Sequence, residues 1–319
     1  MTKHQHDAAG PPIALVAGAS RGLGLLVARE LGRRGHRLVI SARDESELLR
    51  AATQLQADGL DVTIRVCDVT DRDAVHAMVD DIEDTVGPIH TAITVAGVIF
   101  VGPLESTSEA NFAVAVDTML WGPVHVALAV LPHLRGRGTG HIGTVTSIGG
   151  VVSVPHLLPY SVAKFGAVGF SEGLSAELAG TGITATTIVP GLMRTGGHLH
   201  AQFSGQQNRE YAWFAAAGSL PLLAMDADRA AVKMVEAVLA GKPVVILSPL
   251  AKIGARVHGL APATTVRVMG LAQRFLPRAP SSGPTGNIPG HEADARLGSR
   301  LLGTLTALGN RAAHRNNET

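Results

Sequence analysis

Three polar side chains stand where the chain could bring them to one site. Tyr160 and Lys164 are four residues apart, so on a helix they share one face, about 5.4 Å apart along the axis. Ser147 directly follows a strand-like run at 141–145. A free phenol titrates near ~10, and a neighbouring ammonium favours its phenolate form. The spacing therefore fits proton transfer by a tyrosine, although Tyr-x-x-x-Lys alone is short and common and favours a packed tyrosine beside a solvated lysine.

A glycine-rich turn lies between an apolar run at 13–17 and a helical pattern that continues to Arg34. Small residues let backbone approach a pyrophosphate, and a helix N-terminus offers free N–H groups and a positive dipole end. Strand, glycine turn and helix in this order indicate a dinucleotide site. Its candidate residues are Gly18, Ser20, Arg21, Gly22, Leu23 and Gly24.

Two arginines decide the expected form of the dinucleotide. NAD sites place an acid near the end of the second strand, whereas NADP sites use arginine for the 2′-phosphate. This chain has Arg43 after the strand at 37–42 and Arg21 in the glycine turn, while Asp44 is better placed to cap the next helix. NADP(H) is therefore favoured over NAD(H); the alternative is two ordinary surface arginines.

Short apolar runs alternate with helical patterns along most of the chain. Such alternation predicts a doubly wound parallel sheet, an α/β fold of the Rossmann type. Asp68, at the end of the third strand, would either bind the adenine amino group or cap the helix that begins near Asp71. The predicted strands are 13–17, 37–42, 62–67, 91–95, 141–145, 183–189 and 244–247.

Composition limits the class of protein. Net charge is +1 and aromatic residues make up 3% of the 319 residues, which gives no support to nucleic-acid binding. The single cysteine, Cys67, excludes an intramolecular disulfide. We find neither a signal-peptide core in 1–12 nor an uninterrupted apolar run of about 18 residues. A soluble, cytoplasmic protein is expected.

Taken together, these motifs resemble the classical short-chain dehydrogenase/reductase family over roughly residues 12–250. The serine precedes the tyrosine by thirteen residues, as in that family. The motifs occur in the family's order: the glycine turn, Asp68 with Val69, Ala96–Gly97, Ser147, Tyr160 with Lys164, and Pro190–Gly191 with Thr195.

The resemblance implies a role for each matching residue. Tyr160 would be the acid in ketone reduction and the base in alcohol oxidation. Lys164 would bind the nicotinamide ribose and lower the pKa of Tyr160, and Ser147 would bind the substrate oxygen. The backbone after Pro190 and Gly191, with Thr195, would hold the carboxamide and diphosphate end of the nicotinamide half. Val69, Ala96 and Gly97 would line the dinucleotide site.

Two departures from the family pattern are visible. Thr94 and Val95 stand where the family usually has two asparagines that brace the strand and the cofactor pocket. Met119 replaces a further asparagine that helps to hold a water in the proton relay, and a thioether is only a weak acceptor. Slower turnover, another water path or loss of activity would each follow from these changes.

The last third of the chain departs furthest. Residues 192–224 correspond to the family's variable substrate lid and are rich in apolar residues, which would line an apolar pocket or simply pack. His198 and His200 lack further metal ligands, so no metal site is predicted. Residues 237–291 contain no Asp or Glu but six Lys or Arg, with an amphipathic stretch at 263–276. Contact with a membrane through 251–278 and packing on the core or on a second subunit are the alternatives, the second favoured.

The predicted organisation is a disordered lead at 1–12, an NADP-binding domain at 13–250, and a helical extension at 251–319 with a linker at 277–290. The predicted function is a homo-oligomeric, NADP(H)-dependent oxidoreductase that interconverts a carbonyl and a secondary alcohol on a lipophilic substrate. The alternatives are a catalytically weak nucleotide-binding regulator or scaffold, and a membrane-peripheral lipid or steroid-type reductase.

Overall fold

A computed structural model describes residues 10–221, 223–280 and 285–318. The predicted lead therefore lies mostly outside the described residues, as do Leu222 of the lid and part of the proposed linker. The strands are β1 (Ile13–Ala17), β2 (Arg37–Ala42), β3 (Val62–Val66), β4 (Ile89–Thr94), β5 (Phe100–Val101), β6 (Gly140–Val145), β7 (Ile183–Val189), β8 (Met193–Arg194), β9 (Gln202–Phe203), β10 (Met225–Asp226), β11 (Val244–Ile246) and β12 (Ile288–Pro289).

The helices follow the same alternation. They are α1 (Gly22–Arg33), α2 (Glu45–Ala57), α3 (Arg72–Thr85), α4 (Glu109–Val116), α5 (Gly122–Arg137), α6 (Leu158–Glu177), α7 (Gly197–His200), α8 (Gln207–Ser219), α9 (Ala227–Leu239), α10 (Pro249–Leu260), α11 (Pro262–Ala272), α12 (Gly290–Leu297) and α13 (Arg300–Arg315).

Within the described residues, seven strands form one parallel sheet in the order β11-β7-β6-β4-β1-β2-β3. The predicted doubly wound α/β fold is confirmed. All five residues of β1 are buried, as expected for a strand covered by helices on both faces. Chain order reverses between β1 and β4, and open parallel sheets bind ligands at such a switch point.

Two apolar layers hold the sheet between helices. One layer joins β1 and β2 to α1, α2 and α9, and the other joins the opposite face to α3 and α5. These layers fix the carboxyl ends of β1, β2, β4, β6 and β7 at one edge, where the predicted site residues lie.

The predicted long helix from Glu109 is interrupted. Residues Asp117–Trp121 form a π-helical turn between α4 and α5, and Pro123 follows at the start of α5. By length and composition, the segment Glu109–Arg137 could cross a membrane, but half of its most apolar window is buried in the fold. A core helix can have the same length and apolar composition as a membrane span. In this fold, α5 packs on α3 and β4.

The extension divides into two parts. Residues 288–289 pair with β9, which also pairs with β5, so the predicted linker at 277–290 in fact ends in a strand that belongs to the fold. Helices α12 and α13 pack on α8 of the lid. Helices α10 and α11 and the turn after α11 instead leave large apolar side chains exposed, among them Leu260 at 89% and Phe275 at 90%.

The apolar side chains of the lid, residues 192–224, pack against the extension more than they line a pocket. Phe203 and Tyr211 are fully buried in a cluster with Ala293 and Leu302 of the extension. The apolar side chains of 192–224 are therefore used largely for packing against α12 and α13, which was one of the two alternatives.

Candidate active site

Ser147, Tyr160 and Lys164 converge as predicted. Ser147 lies two residues after β6, and its backbone is extended. Its Oγ accepts a hydrogen bond from the Gly149 amide at 3.0 Å. Tyr160 and Lys164 lie on the first two turns of α6. Pro159 is the second residue of this helix. A Cβ on Gly149 would lie 3.0 Å from Tyr160 Cε1 and 3.5 Å from Ser147 Oγ, so the two side chains are neighbours.

Lys164 is buried, with 4% of its surface exposed. Its Nζ donates to the Val145 carbonyl at 2.7 Å and lies 5.9 Å from the centroid of the Tyr160 ring. Burial lowers the pKa of Lys164 to about 8, because the charged ammonium loses its hydration.

The pKa of Tyr160 is raised, whereas the sequence predicted that Lys164 would lower it. Burial raises it, and the hydrogen bond with Ser147 lowers it only in part. Lys164 was expected to depress this pKa, but its ammonium is directed to the Val145 carbonyl instead. The phenol is therefore protonated at neutral pH, the form that an acid catalyst needs.

The glycine turn has the geometry of a close backbone approach. Gly18 and Gly22 have φ of +88° and +56°, a left-handed region that glycine adopts without strain. A Cβ on Gly24 would lie 2.0 Å from the Gly18 carbonyl oxygen, so only glycine lets α1 pack on the turn. The amides of Gly18 and Ala19 donate to the Ser41 carbonyl at 2.8 and 3.1 Å, which fixes the turn to β2.

A cavity of about 640 Å³ joins these parts. The predicted residues that line it are Gly18, Ser20, Arg21, Gly22, Leu23, Gly24, Arg43, Asp68, Val69, Ala96, Gly97, Ser147, Tyr160, Lys164, Pro190, Gly191 and Thr195. The cavity connects the glycine turn with Tyr160. The turn and the buried lysine fit a dinucleotide laid across the switch point.

The family model for short chain dehydrogenases matches residues 12–202. The chain belongs to this family. A putative ketoacyl reductase of Streptomyces coelicolor is 36% identical over 185 residues, which cover 57% of this chain and 71% of that protein. Gluconate 5-dehydrogenase of Gluconobacter oxydans is 34% identical over 182 residues, 57% of this chain and 71% of the relative.

A solved structure gives the same picture. A variant of actinorhodin polyketide ketoreductase with NADPH superposes with a TM-score of 0.67 at 28% identity, over 76% of this chain and 97% of that one. This short-chain dehydrogenase thus has an oxidoreductase fold and the family's nucleotide-binding architecture, while α10–α13 lie beyond the range of the family model.

Thr94 takes over part of the bracing that the missing asparagines would supply. It is buried, and its Oγ1 donates to the Gly143 carbonyl at 3.4 Å, which joins β4 to β6. The backbone amides of Val95 and Ala96 both donate to the Ala17 carbonyl, at 2.8 and 3.2 Å. The end of β4 is therefore held without either amide side chain.

Met119 lies inside the π-helical turn and is fully buried. It packs with Ala163 and Tyr160, and a Cβ on Gly97 would lie 3.6 Å from its sulfur. The thioether therefore fills the space between the end of β4 and the tyrosine with an apolar group, where a water-binding asparagine would otherwise stand.

The two arginines expected at the 2′-phosphate have different surroundings. Arg21 forms an ion pair with Glu47, and Ser20 also donates to Glu47, at 3.0 Å. Arg43 is 70% exposed and lies 3.8 Å from Asp68. Arg43 is thus the more available of the two, and Glu47 is a neighbour that sequence reasoning missed because it lies 26 residues from Arg21.

Asp68 and Asp44 have separate tasks. The Asp68 carboxylate accepts from the backbone amide and hydroxyl of Thr70, both at 2.9 Å. Asp71 caps α3 through the Ala74 amide, so the capping alternative for Asp68 is wrong. Asp44 caps α2 through the Glu47 amide at 2.8 Å, as predicted.

The far wall of the cavity comes from the segment after β7. The Pro190 carbonyl accepts the Ile148 amide at 2.7 Å, which ties this segment to the loop that carries Ser147. The Thr195 hydroxyl accepts from the Gly197 amide at 3.2 Å. The His198 ring hydrogen-bonds Asn310, and the His200 ring hydrogen-bonds the Glu318 carbonyl. Among the described residues, no group of three or more His, Cys, Asp or Glu side chains could hold a metal ion.

Three residues at the glycine turn were not predicted, and one of them, Glu318, lines the cavity. Asn316, Asn317 and Glu318 follow α13 and are buried against the glycine turn. Burial raises the pKa of Glu318 to about 7, although the Gly196 amide and Arg21 act in the opposite direction. No local motif marks these residues, since their position depends on how α13 packs.

Proposed function

We propose that this protein is an NADP(H)-dependent oxidoreductase that interconverts a carbonyl and a secondary alcohol with Tyr160 as the proton donor and acceptor. The observation that carries the proposal is the convergence of Ser147, Tyr160 and the buried Lys164 at one end of a cavity that begins at the glycine turn. When bound, the nicotinamide supplies or accepts the hydride.

The roles of the chain's own residues follow from their positions. Ser147 holds the substrate oxygen beside the Tyr160 hydroxyl, and Tyr160 moves the proton to or from that oxygen. Lys164 would bind the nicotinamide ribose. The phenol form of Tyr160 gives the proton in reduction, and the phenolate accepts it in oxidation. Because burial raises the pKa of Tyr160, turnover in the oxidation direction should need higher pH.

The substrate would carry an apolar body next to its carbonyl. Val98, Ile99 and Met193 line the cavity on one side, and His200, Gln202 and His291 add polar groups to it. A screen of aliphatic, aromatic and polycyclic ketones with NADPH and NADH side by side, followed by nicotinamide absorbance, tests the proposal. Failure of every carbonyl and alcohol to change the absorbance would favour the alternative of a nucleotide-binding protein with little catalysis, which the buried Met119 supports.

Cofactor choice gives a sharper prediction. Replacing Arg43 with alanine should weaken NADPH binding by about tenfold or more and leave NADH nearly unchanged, because only NADPH presents a 2′-phosphate for a charge-assisted bond. Dissociation constants for both dinucleotides, measured by fluorescence titration, check this. Arg72→Ala is the matched control, since Arg72 is comparably exposed and lies outside the cavity lining. Equal losses for both dinucleotides would make Arg43 structural.

A homo-oligomer is part of the proposal. Trp121 and Leu128, on the π-helical turn and α5, and Val162 and Phe165 on α6 are all exposed, and α6 packs against that turn. Covering these side chains with a second copy would remove apolar surface from water. Sedimentation equilibrium over a range of concentrations measures the assembly.

A membrane-peripheral enzyme is the second candidate, and the surface of α10 and α11 favours it. Ile253, Leu260, Val266 and Phe275 are among its exposed apolar side chains, and Lys252, Arg256, Arg267 and Arg274 lie in the same acid-free segment. Apolar side chains flanked by cations suit an anionic lipid surface, where each cation contributes on the order of 1 kcal/mol.

Vesicles test this surface directly. The full chain should sediment with vesicles of mixed neutral and anionic lipid at low salt and be released as salt rises. Replacing Leu260 and Phe275 with serine should abolish sedimentation without loss of fold, because both side chains are about nine-tenths exposed. Leu104→Ser is the control, because Leu104 is an exposed leucine shortly after β5 and lies outside α10 and α11. Unchanged sedimentation of the double variant would exclude this face as the lipid contact.

A further inference from the structure

Residues 316–318 lie against the glycine turn, and Glu318 lines the cavity there. Asn316, Asn317 and Glu318 are 2%, 7% and 5% exposed, far below what is usual for polar residues after the last turn of a helix. They are held there by contacts with α1, α2 and the segment after β7.

The Glu318 carboxylate lies between two walls of the cavity. Its Oε2 accepts a hydrogen bond from the Gly196 amide at 2.7 Å. On the other side, a Cβ on Gly22 would lie 2.8 Å from its Oε1, so the carboxylate touches the turn at a point that only glycine allows. An acidic group thus bridges the glycine turn and the segment that carries Thr195.

The first amide of α1 is also occupied. Arg21 precedes the helix and offers no capping oxygen, so the amides of the first turn need another acceptor. The Asn316 carbonyl accepts the Gly22 amide at 2.8 Å. In a dinucleotide complex, the N–H groups of a helix in this position face the negatively charged diphosphate.

Asn317 fastens the segment to the turn. Its Nδ2 donates to the carbonyls of Ser20 and Glu47, at 2.7 and 3.0 Å, and its Oδ1 accepts from Arg50 at 3.2 Å. Its φ is +57°, a conformation that asparagine tolerates better than most residues. These bonds specify one placement for the segment.

The segment and a diphosphate would use the same backbone groups and the same space. We propose that residues 316–318 occupy the diphosphate subsite as an internal competitor, so that a dinucleotide binds only after they withdraw. The proposal rests on the dinucleotide of the proposed function. It makes the extension a regulator of cofactor access.

Withdrawal requires only a local change. Leu302 and Ala312 anchor α13 in the fold, whereas the segment is joined to the body through the bonds described above and through Glu318, whose amide donates to the Ala313 carbonyl and whose carbonyl accepts from His200, both at 3.0 Å. Asn316 Nδ2 is buried without a hydrogen-bond partner among the described residues, which weakens the closed arrangement. A tethered competitor acts at a high effective concentration, so affinity for a free ligand falls in proportion to the closed fraction.

Binding measurements separate the closed and open forms. We expect the chain that ends after Arg315 to bind NADPH at least about tenfold more tightly than the full chain, because the carboxylate and the Asn316 carbonyl no longer compete for the amides. Glu318→Gln should give a smaller gain in affinity, since it removes the charge and keeps the shape. Glu177→Gln, at an exposed carboxylate on α6, is the matched control and should leave the dissociation constant unchanged.

Hydrogen exchange of the full chain provides a readout that needs no truncation. Saturating NADPH should speed exchange at the backbone amides of residues 316–318, because these residues are buried in the closed arrangement and meet water when the segment leaves. Slower exchange there would mean that the segment closes over the cofactor, which overturns the proposal.

These experiments also distinguish a failure of this inference from a failure of the proposed function. Equal NADPH affinity in the full and shortened chains, with circular dichroism showing both to be folded, overturns the inference and leaves the function standing. Absence of binding by either chain to NADPH and NADH overturns both. If the shortened chain does not fold, Glu318→Gln and the exchange experiment decide.

Discussion

Replacing Tyr160 with phenylalanine lowers turnover by about 10²-fold or more, the usual contribution of a positioned acid or base. The substitution removes the hydroxyl that bonds to Ser147 and leaves the ring, so the packing against Met119 and Ala163 is kept. Binding of the dinucleotide is expected to persist, since Lys164 and the glycine turn are unchanged. Steady-state kinetics on whichever carbonyl the screen identifies, together with NADPH titration, measures both effects.

Tyr211 provides the matched control, because it is the other tyrosine of the chain. It is fully buried in the cluster formed by the lid and the extension and does not line the cavity. Tyr211→Phe removes the same atom from the protein and should leave turnover nearly unchanged. Near-native turnover of Tyr160→Phe would refute the assigned role and favour a nucleotide-binding protein with little catalysis.

Glu210→Ala is expected to lower the free energy of unfolding by about 1–3 kcal/mol, the cost of leaving a buried donor without its acceptor. The side chains of Glu210 and His156 are 0% and 1% exposed. The Glu210 carboxylate accepts from His156 Nδ1 at 2.9 Å and from Trp213 Nε1 at 2.8 Å. Without it, His156 Nδ1 is left buried and Trp213 Nε1 partly buried, each without this acceptor. Chemical denaturation measures the loss.

The loss should also reach the catalytic helix. His156 has φ of +64° and immediately precedes the turn that starts α6, so release of its side chain frees the segment that positions Tyr160. Glu292→Ala, which breaks the exposed pair with Arg296, is the control and should change stability by less than about 1 kcal/mol. A Glu210→Ala protein as stable as the wild type would show that the pair contributes no net stability.

The sheet and the placement of Ser147, Tyr160 and Lys164 at one site could be predicted because their signals are local. Buried strands read as apolar runs, and β1, β2 and β7 have the predicted bounds. The spacing of Tyr160 and Lys164 is a property of one helix, and Ser147 directly follows the adjacent strand. Each inference needed only the geometry of a single element and the rule that parallel strands end at one edge.

The remaining features depend on contacts between distant parts of the chain. The pKa of Tyr160 was expected to fall because a helix places Lys164 near it, but the direction of the ammonium depends on the Val145 carbonyl of another element. Glu47 and Glu318 reach Arg21 and Gly22 only through the packing of α2 and α13. No window of sequence contains both partners of these contacts.

The small sheet of β5, β9 and β12 has a consequence for biosynthesis. Its pairs join residues about a hundred and about eighty-five positions apart in the chain, and such non-local pairings form slowly. The ribosome synthesises β12 about forty residues after β11, the last strand of the main sheet. During that interval Phe203 and Tyr211 of the nascent protein lack Ala293 and Leu302, their partners from the extension, and nascent chains with uncovered apolar surface aggregate readily. Chaperone dependence of the newly made chain should therefore centre on the lid.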